Sequence, residues 1–209
     1  MIIAVDGPAA SGKGTIARAL AEHFGLPLLD TGLLYRAVGL TVLRSGDDPS
    51  SEADAAAACA FDDSLLDDPE LRTETAGQAA SKVSAHPTVR AALIKRQKDF
   101  AAQPGGAILD GRDIGTVIAP DADAKLYVTA SAEVRAARRQ AEEDGAARFD
   151  VILADIKERD ARDAGRDAAP LRQADDAILL DTSDLTIDVA VQQAIALVEA
   201  QLSSSQKGA

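Results

Sequence analysis

Gly7-Pro8-Ala9-Ala10-Ser11-Gly12-Lys13-Gly14-Thr15 is the stretch on which the reading of this chain turns. The apolar run Ile2-Ile3-Ala4-Val5 precedes it and predicts a buried strand; Ile16-Ala17-Arg18-Ala19-Leu20-Ala21 follows it and predicts a helix. A strand, a glycine loop and a helix in that order form a cradle for phosphate. Glycines let main-chain N–H groups turn inward, the helix N-terminus adds partial positive charge, and the lysine reaches the outer phosphates. The strict form of this loop has Ser or Thr directly after the lysine to meet Mg²⁺. Here Gly14 holds that place and Thr15 comes one residue later. A one-residue step turns a side chain by roughly 100° about a helix. Thr15 is therefore the metal candidate, either directly or through water.

Outward from the loop, apolar runs and turn residues alternate. Strands are expected at 2–6, 28–29, 107–109, 125–129 and 178–180, and most are continuous apolar runs. Helices are expected from the loop to about Phe24 (closed by Gly25 and Pro27), over 32–44 with Thr31 as cap, and over 88–102. Further helices are expected from Ser131 to about Glu142, from Asp150 to about Arg162, and over 187–202. The region 50–85 is the least regular: an alanine helix capped by Ser50 or Ser51 and holding Cys59, an acidic connector, and a weak helix that Pro87 interrupts. Strands alternating with helices in this way predict an α/β fold, a parallel five-stranded sheet with helices on both faces.

The chain has 209 residues, enough for one α/β domain with small inserts. Hydrophobic residues make up 46% but aromatics only 3%, so Leu, Val, Ile and Ala must fill the core. A formal net charge of −12 repels polynucleotide backbones and anionic membranes, so neither is expected as a partner. A single cysteine, Cys59, excludes an internal disulfide and a cysteine zinc cluster. His23 and His86 read as solvent or packing residues. The opening strand leaves no room for a signal peptide and no apolar stretch suits a bilayer, so the expected compartment is the cytoplasm.

Ligands of open α/β sheets sit at the carboxyl ends of strands. Three polar clusters fall there: the loop, Asp30-Thr31-Gly32-Leu33-Leu34-Tyr35-Arg36, and Asp110-Gly111-Arg112-Asp113. A fourth, with Arg159, Arg162, Asp163 and Arg166, lies in a polar segment expected to act as a lid. Phosphoryl transfer needs alignment and neutralisation of spread negative charge more than covalent help. Arginine suits it, because its planar fork meets phosphate oxygens bidentately and keeps its charge. The candidates are Arg36, Arg112, Arg159, Arg162 and Arg166. Each also reads as a partner of a nearby Asp or Glu, and the alternation Arg159-Asp160, Arg162-Asp163 as pairing within one helix.

On these runs the chain resembles the bacterial cytidylate kinases, members of the nucleoside monophosphate kinases that share the phosphate loop. The matching segments are GPAASGKGT (7–15), LLDTGLLYRAV (28–38), ASKVSAHPTVRAAL (80–93), ILDGRDIGTVIAPDADAKLYVTAS (108–131) and IKERDARDAGRDAAPL (156–171). Gly-Lys-Gly-Thr is shared with adenylate kinases, which usually carry Gly-Phe-Pro-Arg where this chain has Gly111-Arg112-Asp113-Ile114. The resemblance implies transfer of the ATP γ-phosphoryl group to CMP and dCMP, with Mg²⁺; a monomer is expected. It implies that Gly7, Pro8, Ala9, Ala10, Ser11, Gly12, Lys13, Gly14 and Thr15 bind ATP, with Lys13 bridging β and γ. It further implies that Thr31, Arg36 and Arg112 hold the acceptor and its phosphate, and that Ser81, Arg90 and Asp113 read cytosine. Asp163 would touch the sugar, Arg166 would clamp phosphates, and Arg159 and Arg162 would help close over ATP. The implied catalytic set is Lys13, Arg112, Arg159, Arg162 and Arg166.

Cytosine chemistry agrees with part of this: a carboxylate accepts from N4, while Arg and Ser donate to N3 and O2. Asp113 also reads as a structural partner of Arg112. The implied layout is one kinase domain over 1–202. Its core comprises 1–30, 104–155 and 175–202, with an acceptor-binding insert over 31–103, a lid over 156–171, and a disordered tail over 203–209. The family carries a small β-sheet in the insert, whereas 61–75 here is short, acidic and without strand alternation. Rival readings are a kinase for UMP, AMP or a metabolite, and an ATP-binding regulator without catalysis.

Overall fold

A computed structural model describes residues 1–142, 148–166 and 168–207. Part of the expected lid, residue 167, and the last two residues of the expected tail lie outside the described residues. The chain divides into two compact units: Met1–Leu29 with Ala101–Ala209, and Asp30–Phe100.

The first unit holds a five-stranded sheet in the order β2-β3-β1-β4-β5. Its strands are β1 (Ile2–Asp6), β2 (Leu28–Asp30), β3 (Ala107–Gly111), β4 (Ala124–Thr129) and β5 (Ile178–Asp181). Strand β1 lies centrally, parallel to β3 (Val5 beside Asp110, Asp6 beside Gly111) and to β4 (Asp6 beside Tyr127). β5 extends the sheet in parallel from β4. Side chains alternate across a strand. Ile3 and Val5 thus join Ile108, Leu126, Val128 and Leu180 on one face, packed with Ile16, Ala17 and Leu20 of α1 (Lys13–Phe24) and Ala190, Ala194 and Val198 of the last helix. Ala4 and Leu109, of opposite parity, are fully buried as well. Both faces are covered, as continuous apolar strands require.

Gly106 shows how closely the backbones approach at the base of β3. Its φ is +104°, and a Cβ there would stand 2.0 Å from the Met1 carbonyl oxygen.

The second unit is helical from Thr31 onward: α2 (Thr31–Ser45), α3 (Glu52–Ala57), α4 (Glu74–Val83) and α5 (Pro87–Ala101), with 3-10 turns at Asp63–Asp67 and Pro69–Arg72. No strand lies within Thr31–Phe100. Leu71 packs with Ala37 and Leu40 over Phe61, Leu65 and Leu66, so the acidic stretch is anchored by its few apolar residues. α2 and α4 meet where Gly39 faces Ala79; a Cβ on Gly39 would come within 2.8 Å of the Ala79 Cβ.

Four local expectations are corrected. Asp30, not Thr31, caps α2: its carboxylate accepts from the Gly32 N–H at 2.9 Å, and Thr31 is the first helical residue. Pro87 opens α5 instead of breaking a helix, as a residue without an N–H does well at a first turn. Cys59 lies beyond α3, which ends at Ala57; its thiol donates to the Ala55 carbonyl. The last helix, α8, runs Ile187–Lys207, past the expected end at Leu202. Within it, Gln201 accepts from the Lys125 N–H at 3.0 Å and donates to the Lys125 carbonyl at 3.1 Å. Between β4 and β5 run α6 (Ala132–Glu142) and α7 (Phe149–Ala164), joined by Ala136, Ile152 and Ile156. Among the described residues no helix is long and apolar enough to cross a membrane.

Candidate active site

The loop 7–12 closes tightly for identifiable reasons. Gly7 has φ +156°, and a Cβ there would fall 2.0 Å from the Val128 carbonyl oxygen. Gly12 takes a left-handed conformation as the cap of α1, with φ +87°. Ala10 also has positive φ, 59°, a costly state for a residue with a Cβ. Outside the loop, carbonyls are drawn away from the cradle. Arg135 Nη1 donates to the Ala9 carbonyl at 3.3 Å, and the Thr182 hydroxyl donates to the Ser11 carbonyl at 3.1 Å. Arg138 holds Thr182 in turn, through its hydroxyl at 3.0 Å and its carbonyl at 2.6 Å.

Lys13 leads α1, with its ammonium 3.1 Å from the buried Asp110 carboxylate. Asp110 also lies against the loop, since a Cβ on Gly14 would stand 3.2 Å from its Oδ2. Thr15 accepts from Arg18 at 3.4 Å. Thr15 and Asp110 offer a hydroxyl and a carboxylate, hard oxygen donors of the kind Mg²⁺ takes. Among the described residues no group of three or more His, Cys, Asp or Glu could enclose a metal. The donors fit a cation that keeps most of its waters and is held largely by phosphate oxygens.

The turn after β3 is π-helical, Ile114–Ile118, and Asp6 builds it. The buried Asp6 carboxylate accepts from the N–H groups of Ile114 and Gly115, each at 2.8 Å. Burial pushes Asp6 up to about 7; those two N–H bonds oppose the rise, and the charges of Asp113 and Asp110 add to it. Asp113, at the head of this turn, is itself buried.

Arg112, Asp163 and Arg166 come together. Arg112 Nε donates to Asp163 at 3.0 Å, and Arg166 Nε donates to the Asp163 carbonyl at 3.2 Å. Burial works to raise Asp163, but the guanidinium charges of Arg112, Arg166 and Arg159 outweigh it and hold the carboxyl below its ordinary value. Arg162 pairs with Glu158 one turn back, the intrahelical pairing weighed above. Asp160, by contrast, turns to Arg135 on α6.

The second unit orders its own candidates. Arg36 on α2 donates to the carbonyls of Leu71 at 2.7 Å and Thr73 at 2.9 Å, and Gly77 leaves room for its guanidinium to lie on α4. Arg90 on α5 is buried, its guanidinium 5.8 Å from the centre of the Tyr35 ring. Thr31 and Ser81 are buried too, at the start of α2 and on α4.

Residues 3–200 match the family model described as cytidylate kinase. This chain belongs to the cytidylate kinase family. A relative named cytidylate kinase from Xanthobacter autotrophicus is 60% identical over 206 residues, covering 96% of this chain and 98% of its own length. Another so named, from Methylocella silvestris, is 53% identical over 212 residues and covers 100% and 98%. Among solved structures, a gluconokinase from Sinorhizobium meliloti aligns over 99% of this chain and 96% of its own, with TM-score 0.57 and 16% identity. A sugar kinase from Janibacter aligns with TM-score 0.52, 14% identity and coverage of 97% and 96%. These two likenesses speak for the α/β fold alone.

Sequence reasoning placed Asp110 in the polar cluster after β3 without a role of its own, and did not select Asp6, Arg135, Arg138 or Thr182. A signal was present for two of these four: Asp6 ends β1 and Thr182 follows β5, so both obey the strand-end rule that selected the other candidates.

Proposed function

We propose that this member of the cytidylate kinase family moves the γ-phosphoryl group of ATP to CMP and dCMP, giving the diphosphates. The supporting observation is the match of residues 3–200 to the family, on a chain whose loop draws its carbonyls outward and sets Lys13 at its mouth. Main-chain amides of 7–15 and Lys13 take the donor phosphates. Thr15 and Asp110 would hold the Mg²⁺ that accompanies ATP, a cation that spreads the charge of the β- and γ-phosphates when bound.

Arg36 and Arg112 take the acceptor phosphate, with Thr31 beside it. Ser81, Arg90 and Asp113 read the base, and Asp163 the sugar. Arg159, Arg162 and Arg166 neutralise charge that develops on the transferred group. The acceptor phosphate is already ionised near neutral pH, so no strong general base is needed. Arg112 Nε, lodged on Asp163, exchanges a carboxylate for a phosphate when substrate arrives, which keeps the guanidinium in place beforehand. The enzyme works as a monomer in the cytoplasm.

The test is ADP release from ATP and magnesium with a panel of acceptors. CMP and dCMP should support turnover, UMP and AMP far less. A preference for UMP, AMP or a sugar would overturn the acceptor assignment. ATP binding without transfer to any acceptor would favour the regulator reading.

A further inference from the structure

Transfer as described gives no role to Arg135, a buried cation beside the loop. Arg135, on α6, is 5% exposed and uses its fork in three directions. Nε donates to the Ala130 carbonyl at 2.9 Å, at the end of β4. Nη1 donates to the loop carbonyl of Ala9 at 3.3 Å and to Asp160 Oδ1 at 3.0 Å; Nη2 donates to Asp160 Oδ2 at 2.6 Å. A guanidinium cannot shed its charge, so it is buried only where such partners are supplied. A buried ion pair adds little stability over apolar packing of the same volume; its attested use is to fix one arrangement among several.

Here it fixes two elements of the candidate site to each other. The first is the loop beside the strained Ala10. The Ala9 carbonyl, turned out toward Arg135, is the counterpart of amides turned in toward phosphate. The second is α7. Asp160 and Asp163 are three residues apart and share a helix face, and Asp163 carries Arg112. Arg159 adjoins Asp160 in the chain.

We propose that Arg135 and Asp160 are positioning residues that couple occupation of the phosphate loop to the placement of α7. The inference rests on the loop being the ATP site. A triphosphate that favours the inward-amide loop also favours the outward Ala9 carbonyl, and with it Arg135 and the α7 face that Asp160 carries. The coupling is bounded by the difference in ligand affinity between the two loop arrangements.

Hydrogen exchange tests this without reference to the acceptor. A non-hydrolysable ATP analogue with magnesium should slow amide exchange in the wild-type loop, in α1 and across Phe149–Ala164. In Asp160→Asn, protection should remain in the loop and α1 and be lost from α7, while analogue affinity changes by less than about threefold. In steady state, Asp160→Asn and Arg135→Lys should each lower kcat about tenfold or more with KM for ATP nearly unchanged, as displaced reacting groups do. The double variant should be no worse than either single, the sign of one shared link.

Thermal melts of all variants check folding, and Arg135→Lys serves if Asp160→Asn does not fold. Absent α7 protection in the wild type, equal protection in Asp160→Asn, or additive losses in the double variant would each overturn the coupling. If the wild type shows the α7 protection but phosphorylates no pyrimidine monophosphate, the kinase reading fails and the coupling stands.

Discussion

Replacing Asp6 by Asn should flatten the pH dependence of folding, because this carboxyl is held at about 7 against an ordinary 3.8. Removal from water is the largest cause, and the N–H groups of Ile114 and Gly115 only partly offset it. The folded chain therefore binds a proton that the unfolded chain lacks over the whole interval between those values. Stability falls as pH rises where the folded state holds more protons. The contribution is full below 3.8, declines through the interval, and is gone above about 7.

At about 1.36 kcal/mol per unit, the loss between about pH 5 and about pH 8 is roughly 2.5 kcal/mol. The protonated acid and the amide are alike in shape, but the acid's hydroxyl oxygen can still accept from an N–H group whereas the amide nitrogen cannot, so the variant loses one of the two bonds at every pH. Asp6→Asn should thus be the less stable protein near pH 5 and gain on the wild type toward pH 8. The difference between the two proteins should shift across the range by that same ~2.5 kcal/mol. Urea unfolding followed by far-ultraviolet circular dichroism at constant ionic strength is suited to a chain with no tryptophan. Parallel pH profiles for the two proteins would mean that the carboxylate stays charged and its two N–H bonds outweigh burial. The reasoning would then be wrong.

Three further outcomes are expected. Arg36→Ala removes a guanidinium anchored on the Leu71 and Thr73 carbonyls; kcat/KM for CMP should fall by about a hundredfold or more, and melting should show about 1–3 kcal/mol lost through the orphaned carbonyls. Gly39→Ala places a Cβ 2.9 Å from main-chain atoms of Ala79 and Ala80, which cannot yield as a side-chain tip would. It should cost about 1–3 kcal/mol of stability, read as a lower urea midpoint. Asp113→Asn should narrow the preference for CMP over UMP by about tenfold in competition assays, since an amide accepts and donates where a carboxylate only accepts; an unaltered ratio would remove Asp113 from base reading.

The loop and the sheet were legible because their signals are local. An apolar run, two spaced glycines and a lysine occupy twelve consecutive positions, 2–13, and nothing distant is needed to read them. The same holds for α5, whose firm periodicity needed only the correct role for Pro87. What escaped the sequence depends on partners far along the chain. The π-helical turn at Ile114–Ile118 exists because a carboxylate 108 residues earlier gathers two of its N–H groups. The tie between α8 and β4 depends on Gln201 meeting the backbone of Lys125. The buttress of the loop joins Arg135 to a carbonyl 126 residues away, and a carbonyl carries no mark in a sequence. Candidate side chains at strand ends could be chosen by rule, whereas the groups that hold them needed coordinates.

A net charge of −12 and a site for polyanions are compatible on physical grounds. Charges exposed to physiological salt are screened beyond a Debye length of about 8 Å, so most surface carboxylates barely act on a ligand in the loop. Groups in contact with it are not screened in this way. Within that range the chain supplies main-chain amides, the α1 N-terminus and Lys13. Three nearby carboxylates pair with cations: Asp110 with Lys13, Asp163 with Arg112 and Asp160 with Arg135. These pairings hold the cations in fixed directions before any ligand arrives. The overall sign of the protein therefore acts at a distance, while a few fixed dipoles and cations act at contact.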